Sequence, residues 1–206
     1  MSTRGLVAVF ADESCLGNGK EGENPGGAGA LIEYRRPGAS ATTRRDVWLS
    51  EPATTNNRMA LRSVISTFRE LSAKGQHFDV VFTTDSRYIV DGMTEWVHGW
   101  SRNGWKRKTG PIENLDLWAD ALEAARAHAV AWRWVRGHAG HAQNEYANHL
   151  ATRAADQQDS STGLVASEFE SWYERTTSRG AKHADPVPFP DAGAFLPNAA
   201  LPPPPG

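Results

Sequence analysis

Two aspartates each follow a short β-prone segment, and their placement is the first feature of the sequence that could carry chemistry. Asp12 comes directly after residues 6–11, and Asp85 comes directly after residues 78–84. Both segments are rich in the β-branched and aromatic residues that favour strands. Carboxylates are suitable ligands for hard divalent cations such as Mg²⁺. A single aspartate at a strand end is more often a turn or capping residue, so other features must decide between the two interpretations.

The elements around these aspartates predict a mixed α/β sheet. After a Gly- and Asn-rich loop that we expect to reach residue 29, β-prone segments at residues 30–34 and 44–50 indicate an antiparallel meander. A helix that Asn56 or Asn57 can cap comes next, and the later strands alternate with helices. The other predicted elements are helices at about residues 87–93, 94–100, 113–128 and 143–157 and a strand at residues 129–135. The fold class is therefore α/β, with a mixed five-stranded sheet flanked by helices.

The composition sets the expected domain organisation. The chain has 206 residues, of which 39% are hydrophobic and 22% charged, which is typical of one globular domain with an additional segment. We expect the domain at residues 1–158. Residues 159–206 hold most of the 12 prolines, and we expect them to form a disordered tail. The formal net charge of -2 excludes a protein that is basic overall, so a nucleic-acid surface would need local clustering of charge.

The cysteine content and the hydropathy indicate the cellular setting. Cys15 is the single cysteine and cannot form an internal disulfide. The first residues lack the apolar core of a signal peptide, and no apolar run approaches the roughly 20 residues needed to cross a bilayer. We therefore expect a cytoplasmic protein that is not associated with membranes.

Several short motifs occur along the chain in an order that is far more specific than any one of them. They are ADESCLGN at 11–18, TTNNRM at 54–59, TTDSRY at 83–88, tryptophans at 96, 100 and 105, and RGHAGHAQNEYANHLA at 136–151. In these motifs, across about residues 5–157, the chain resembles ribonuclease H type 1. The resemblance implies a ribonuclease H-like fold and an endonuclease that hydrolyses the RNA strand of RNA/DNA hybrids. It also implies Mg²⁺ or Mn²⁺ as cofactor, with two ions bound when the substrate is present.

The resemblance implies a metal site made of four carboxylates, and this chain matches two of them. Asp12 and Asp85 fall on the first and third family positions. Ala60 falls on the second position, where the family has glutamate, and it cannot bind a metal ion. Asn148 falls on the fourth position and can still supply a neutral amide oxygen as a ligand. The predicted catalytic site is thus altered at two positions.

Glu13 adds a carboxylate where the family usually has glycine. On a regular strand, Glu13 and Asp12 would point to opposite faces, and Glu13 would be an exposed surface charge. A bulge at the strand end could instead direct Glu13 toward the metal site. In that case it would replace part of the missing negative charge.

Two histidines lie in the loop that precedes the last predicted helix. A solitary histidine is more often a surface or packing residue than a catalyst, but the family motif includes His138. The resemblance implies that His138 transfers protons to or from the attacking water or the leaving oxygen, for which an imidazole is suited. We expect a structural role for His141.

The contacts to the hybrid are implied by two groups of residues. Asn18, Asn56 and Asn57 match family positions that contact the minor groove and the sugars, which suits recognition of shape and 2′-hydroxyls. A second group resembles the basic protrusion of the family, and its predicted substrate contacts are Arg102, Trp105, Lys106, Arg107 and Lys108. We expect Trp96 and Trp100 to pack against the core instead.

Two functions from different classes remain open at this point. The first is a metal-dependent ribonuclease H, which is favoured because Asp12, Asp85 and His138 are all present. The second is a hybrid-binding module with weak or no catalysis, which Ala60 favours. In both cases the partner is an RNA/DNA hybrid, and we expect a monomer. Cleavage of a labelled hybrid with each metal ion discriminates between the two.

Overall fold

The computed structural model describes residues 4–17, 24–36 and 39–205, which form one sheet with helices on both faces. The strands are β1 (Gly5–Cys15), β2 (Gly26–Tyr34), β3 (Thr43–Glu51), β4 (Phe78–Thr84), β5 (Ala129–Trp134) and β6 (Val165–Ala166). The helices are α1 (Asn56–Ser72), α2 (Arg87–Asp91), α3 (Val97–Arg102), α4 (Leu115–Ala125), α5 (Ala142–Gln157) and α6 (Phe169–Ser178), and a π-helical turn, Gly92–Trp96, joins α2 to α3.

The sheet has the order β5-β4-β1-β2-β3-β6. Strand β1 pairs antiparallel with β2 and parallel with β4, and β4 pairs parallel with β5. The predicted mixed α/β sheet is confirmed. A sixth strand, β6, extends it by two residues that pair with Arg45 and Asp46 of β3.

Strand β2 begins four residues earlier than the sequence predicts, because the glycines assigned to a loop belong to the sheet. They lie where α5 crosses the sheet. A Cβ atom on Gly27 would lie 2.0 Å from the carbonyl oxygen of Ala151, and one on Gly29 would lie 2.7 Å from that of Ala147. Glycine is therefore needed here for the close approach of a helix backbone to a strand, and it does not mark a turn.

Two buried clusters fill the space between the sheet and the helices. On one face of β1, Val7, Val9 and Ala11 pack with residues of α1 and α4, including Ala60. On the other face, Ala8 and Phe10 pack with residues of α5 and α6. The alternation follows from the two-residue period of a strand, and it places the end of β1 between two rigid layers.

Two helix starts differ from the expectation. The N-cap of α1 is Thr55, whose hydroxyl accepts a hydrogen bond from the backbone N–H of Arg58, so neither Asn56 nor Asn57 caps this helix. Helix α4 starts at Leu115, after Asn114 in the left-handed conformation, and is shorter than predicted. Asn tolerates that conformation better than most residues, which explains the break in the helical pattern.

The segment after residue 158 contains ordered elements, in contrast to the disordered tail expected from its prolines. Phe169 and Trp172 of α6 are 2% and 7% exposed, and both pack against Tyr146 of α5. Further along, the side chain of Asn198 accepts a hydrogen bond from the backbone N–H of Trp132 at the free edge of β5. The average composition concealed these anchoring residues, because a few large aromatic side chains can bury enough surface to order a segment.

None of the helices in the described part of the chain is long and apolar enough to span a membrane.

Candidate active site

The site lies at the ends of the neighbouring parallel strands β1 and β4. Their ladder ends with the pair Ala11 and Thr84, so Asp12 and Asp85 follow at the same edge of the sheet. One carboxylate oxygen each of Asp12, Glu13 and Asp85 lies within 4.8 Å of the others. Asp12 is 5% exposed, whereas Asp85 is partly exposed, so the cluster is open on one side. The structure thus brings together the two predicted aspartates and Glu13.

Glu13 reaches the cluster without a bulge. Strand β1 keeps a continuous register with β2 through Asp12 opposite Gly29 and Glu13 opposite Ala28. The expected alternation therefore holds. Because β4 ends at Thr84, β1 has no paired strand along its β4 edge beyond Ala11. A side chain can therefore pass around that edge from one face of the sheet to the other. The Glu13 side chain can then interact with the Ser86 side chain and approach Asp85 around this open edge.

Ala60 lies on the same side of β1 as the Glu13 side chain. Ala60 is fully buried in the cluster that also contains Val9 and Ala11, which are on the α1 side of β1. By strand alternation, Glu13 starts from this same side. The Glu13 carboxylate therefore approaches the acidic cluster from the α1 side of the sheet. A longer side chain at residue 60 would approach it from the same side.

Helix α5 supplies amide groups on the opposite side of the site. Asn144 is 2% exposed, and its side-chain N–H donates to Asp12 Oδ2 at 3.1 Å. Asn148 lies one turn further along the same face. The neighbouring residues Ala147 and Ala151 pack closely on Gly29, which pairs with Asp12. Asn144 was not predicted, since its motif position alone does not reveal the contact to Asp12.

The crowding of acidic groups shifts their proton affinity upward. Burial, and then the charges of Asp85 and Glu13, raise the pKa of Asp12 to about 9. Burial and the charge of Asp85 raise the pKa of Glu13 to about 8. Burial also raises the pKa of Asp85, although the nearby His138 opposes this effect. Without a cation, the three groups would share protons at neutral pH.

These properties fit a site for divalent cations. The donors are carboxylate oxygens, which hard cations such as Mg²⁺ and Mn²⁺ prefer. Within the described residues, Glu13 Oε2 and Asn144 Oδ1 are buried and receive no hydrogen bond. A cation would offset the charge that now raises the pKa values, and it would give Glu13 Oε2 a partner. Asp12, Glu13 and Asp85 are the residues that could hold it, with Asn148 as a neutral fourth donor.

His138 lies beside the acidic cluster in the loop between β5 and α5. Its side chain is 77% exposed, and Nδ1 is 3.9 Å from Glu145 Oε2. Its backbone has a positive φ of 50°, in the left-handed region that few residues with a side chain adopt. His141 caps α5 by accepting from the backbone N–H of Asn144, which confirms the structural role expected for it.

Trp134 and Arg87 form a contact at the same edge that the sequence did not predict. The indole N–H of Trp134 donates to the carbonyl oxygen of Asp85 at 3.0 Å. The guanidinium of Arg87 stacks on the indole, 3.9 Å from the ring centre. These residues meet because β4 and β5 pair in this register. No motif or spacing in the sequence predicts the contact. The contact holds the backbone of Asp85 from the side opposite Asp12.

Several of the predicted substrate contacts line two cavities that share Trp96, Trp100 and Arg107. Asn57 and Arg107 line the same cavity beside Tyr88. Arg102, Lys106, Arg107 and Lys108 are exposed, whereas Trp105 is partly buried against the core. As expected, Trp96 and Trp100 also pack against the core. Asn56 begins α1 next to Asn57, and the prediction for Asn18 concerns a position outside the described residues.

The sheet order and the acidic cluster at the ends of two central parallel strands define the class: a ribonuclease H-like α/β fold with a carboxylate site. The family model described as RNase H matches residues 4–156. The chain belongs to the ribonuclease H family.

Curated relatives support this assignment. The "Ribonuclease H" of Erythrobacter litoralis is 44% identical over 153 residues, covering 74% of this chain and 97% of the relative. The "Ribonuclease H" of Halorhodospira halophila is 44% identical over 155 residues, covering 75% of this chain and 95% of the relative. Each match covers about three quarters of this chain, and the family model ends at residue 156.

One solved structure extends the similarity to nearly the full length. LC9-RNase H1, described as a type 1 RNase H with the type 2 active-site motif, is 65% identical, with a TM-score of 0.92 over 98% of this chain and 96% of that one. LC11-RNase H1, solved in complex with RNA/DNA hybrid, has a TM-score of 0.51 and 18% identity over 74% of this chain and 98% of that one. The second likeness shows the fold alone.

Proposed function

We propose that the acidic cluster of Asp12, Glu13 and Asp85, completed by Asn148, is the active site at which this chain hydrolyses the RNA strand of RNA/DNA hybrids. Ribonuclease H enzymes are metal-dependent endonucleases that carry out this hydrolysis, and family membership rests on the match over residues 4–156. The observation that carries the proposal is the convergence of three carboxylate oxygens within 4.8 Å at the strand ends.

Glu13 takes the place of the glutamate that Ala60 lacks. It approaches Asp85 from the α1 side of β1, on which Ala60 is also buried. The similar LC9-RNase H1 is described as a type 1 RNase H with the type 2 active-site motif, which provides a precedent for a type 1 fold with a different set of site residues. A pure hybrid-binding module would have no use for a third carboxylate that raises the pKa of Asp12.

The ions that fit this site are Mg²⁺ or Mn²⁺, and we propose that two are held when the substrate phosphate adds its own oxygens. Divalent cations there supply positive charge that offsets the charge developing on the attacking and leaving oxygens. Asp12 and Asp85 would hold these ions beside the scissile phosphate, and Asn144 holds the Asp12 carboxylate in place. His138, exposed at the rim, accepts or donates a proton during the displacement.

The hybrid binds through the surface that carries Asn56, Asn57, Trp105 and the basic residues of the protrusion. Neutral amides are suited to sugars and groove edges, and the exposed cations Arg102, Lys106, Arg107 and Lys108 are suited to phosphates. Asn18 stays a prediction for the same surface. A monomer in the cytoplasm also stays a prediction.

Cleavage of a labelled RNA/DNA hybrid in Mg²⁺ and in Mn²⁺ tests this function. The protein should cut the RNA strand, and Asp85→Asn should reduce the rate by more than about 100-fold, which exceeds the effect typical of residues that only support a metal ligand. Glu123→Gln, an exposed carboxylate of α4, serves as the matched control and should leave the rate unchanged. Hybrid binding without cleavage in either metal would establish the silent module instead.

A further inference from the structure

We propose that residues 182–187, which lie beyond the residues matched by the family model, act as a positioning element of the active site. They bind the loop that carries His138 and the start of α5. The inference rests on the proposed proton-transfer role of His138. It assigns a catalytic contribution to a part of the chain that lies outside residues 4–156, which the family model matches.

The first contact is made to Gly140, two residues after His138. The backbone N–H of Ala184 donates to the carbonyl oxygen of Gly140 at 2.7 Å. Gly140 has a φ of +83°, and a Cβ atom at this position would lie 3.1 Å from the carbonyl oxygen of Lys182. The loop and residues 182–184 therefore meet backbone to backbone, which leaves little freedom for either.

The second contact is made to Gln143 in the first turn of α5. Its side-chain N–H donates to the carbonyl oxygen of Val187 at 2.9 Å, and its side-chain oxygen accepts from the Val187 N–H at 3.1 Å. Gln143 is fully buried. A buried amide that loses both partners costs more than the two hydrogen bonds contribute, so this pairing is strongly maintained.

The loop is held from the inside by a different residue. The backbone N–H of Gly140 donates to Glu145 Oε1 at 3.4 Å, and the other oxygen of Glu145 lies 3.9 Å from His138 Nδ1. Gly140 thus donates inward to Glu145 and accepts outward from Ala184. Since His138 itself is 77% exposed, its position depends on how firmly the loop backbone is held on these two sides.

The segment is itself anchored and conformationally restricted. The ring of His183 packs on Trp172, with ring centres 5.0 Å apart, and Trp172 is buried against α5. Pro186 and Pro188 flank Val187. Proline fixes its own φ and restricts the preceding residue to extended conformations, which reduces the entropy lost when the segment docks. The segment is therefore a rigid support for the loop.

A loosened loop would place His138 less accurately at the rim of the acidic cluster. General acid–base catalysis contributes about 100- to 10,000-fold and depends on geometry, so partial misplacement should cost about tenfold in kcat. KM should change little, since the predicted hybrid contacts lie elsewhere. A lower kcat with an unchanged KM distinguishes a positioning role from a loss of substrate binding.

Two variants each remove one of the two contacts described above, and a third variant serves as control. Gln143→Ala removes the amide that pairs with Val187, and Ala184→Pro removes the N–H that pairs with Gly140. Phe189→Ala lies two residues after Val187 and removes a contact to Arg35 and apolar packing on the α5 side of the sheet, but it removes no hydrogen bond to Gly140 or Gln143. Each variant is measured for kcat and KM on hybrid, for melting temperature, and for amide hydrogen exchange of residues 137–141.

We expect Gln143→Ala and Ala184→Pro to lower kcat about tenfold and to speed exchange in the loop, while Phe189→Ala changes only the melting temperature. In a His138→Ala background, Gln143→Ala should lower kcat no further, because the loss acts through His138. A kcat loss that persists in this background, or an equal loss in Phe189→Ala, overturns the positioning role. An unchanged kcat in His138→Ala overturns the proposed role of His138 itself, and the inference with it.

Discussion

At the scale of single residues, the site shows how a carboxylate from one element can take the place of one missing from another element. Glu13 points to the α1 side of β1, as alternation requires, yet its carboxylate joins Asp12 and Asp85. The end of β4 at Thr84 makes this possible, because no β4 residue pairs with β1 beyond that point. The motif order predicted both aspartates. The reach of Glu13 could not be predicted, because it depends on where the neighbouring strand ends.

The raised pKa values predict that the acidic cluster destabilises the metal-free protein at neutral and alkaline pH. The pKa of Asp12 is about 9 in the folded state, and its usual value is 3.8, so the folded state binds more protons between these limits. The free energy of unfolding should therefore fall as the pH rises from about 4 to about 9. Denaturant unfolding in a chelator at pH 5 and pH 8 measures the difference.

Asp12→Asn provides the control for this pH dependence. The amide removes the titrating group and keeps an oxygen that can accept from the Glu13 N–H. This variant should lose less stability than the parent between pH 5 and pH 8, and added Mg²⁺ should stabilise the parent more at pH 8 than at pH 5 because binding displaces protons. Identical pH profiles for parent and variant would contradict the shifted pKa values.

At the scale of elements, the central strands and the long helices could be predicted, whereas the start of β2 could not. The strand residues 30–34 carry an apolar pattern, but Gly26, Gly27 and Gly29 indicate a turn when only the sequence is considered. Gly27 and Gly29 are in close contact with α5, which comes much later in the chain, and Gly26 is in close contact with Thr54 and Met59. Local propensity cannot report a contact with so distant a helix.

Gly27→Ala and Gly99→Ala test this packing in opposite environments. A Cβ on Gly27 would lie 2.0 Å from the backbone oxygen of Ala151, so α5 must shift and the protein should lose about 1–3 kcal/mol of stability. Gly99 in α3 has open space around its Cβ position, so alanine there should be neutral or slightly stabilising. Melting temperatures compare the two, and equal effects would show that α5 does not constrain the glycines.

At the scale of the whole molecule, residues 159–205 complete the layer on the α5 side of the sheet. Asp46, Tyr146 and Glu168 form a buried hydrogen-bonded group in which the Tyr146 hydroxyl donates to Asp46 Oδ2 at 2.6 Å. The ion pair of Arg44 with Glu33 also extends to Glu170. Composition alone predicted a disordered tail, because prolines dominate its last third and conceal the aromatic anchors of α6.

A chain that ends at residue 158 should fold less stably than the full chain. Removing α6 would expose apolar surface of α5 and leave the Glu33–Arg44 pair more open to water. We expect a lower melting temperature, measured at equal protein concentration and ionic strength. A melting temperature equal to that of the full chain would show that residues 159–206 are dispensable for stability, and that residues 1–158 form the independent domain predicted from the sequence.

The exposed basic residues should determine how salt weakens hybrid binding. Replacing Arg102, Lys106, Arg107 and Lys108 with alanine should weaken binding and reduce the slope of log affinity against log salt concentration, by about 0.9 for each phosphate that the protein no longer neutralises. The exposed residue Lys74, at the end of α1, offers a control substitution away from this surface. An unchanged slope in the fourfold variant would show that these four residues do not contact the phosphates of the hybrid.

The central claim is that Glu13 replaces the carboxylate missing at residue 60, and a swap of the two positions tests it most directly. Cleavage of hybrid in Mg²⁺ is compared among the parent, Glu13→Ala, Ala60→Glu and the double variant. We predict that Glu13→Ala loses more than about 100-fold in rate and that Ala60→Glu in the same chain restores a large part of it, since both side chains approach from the α1 side. Full activity in Glu13→Ala alone would contradict the claim.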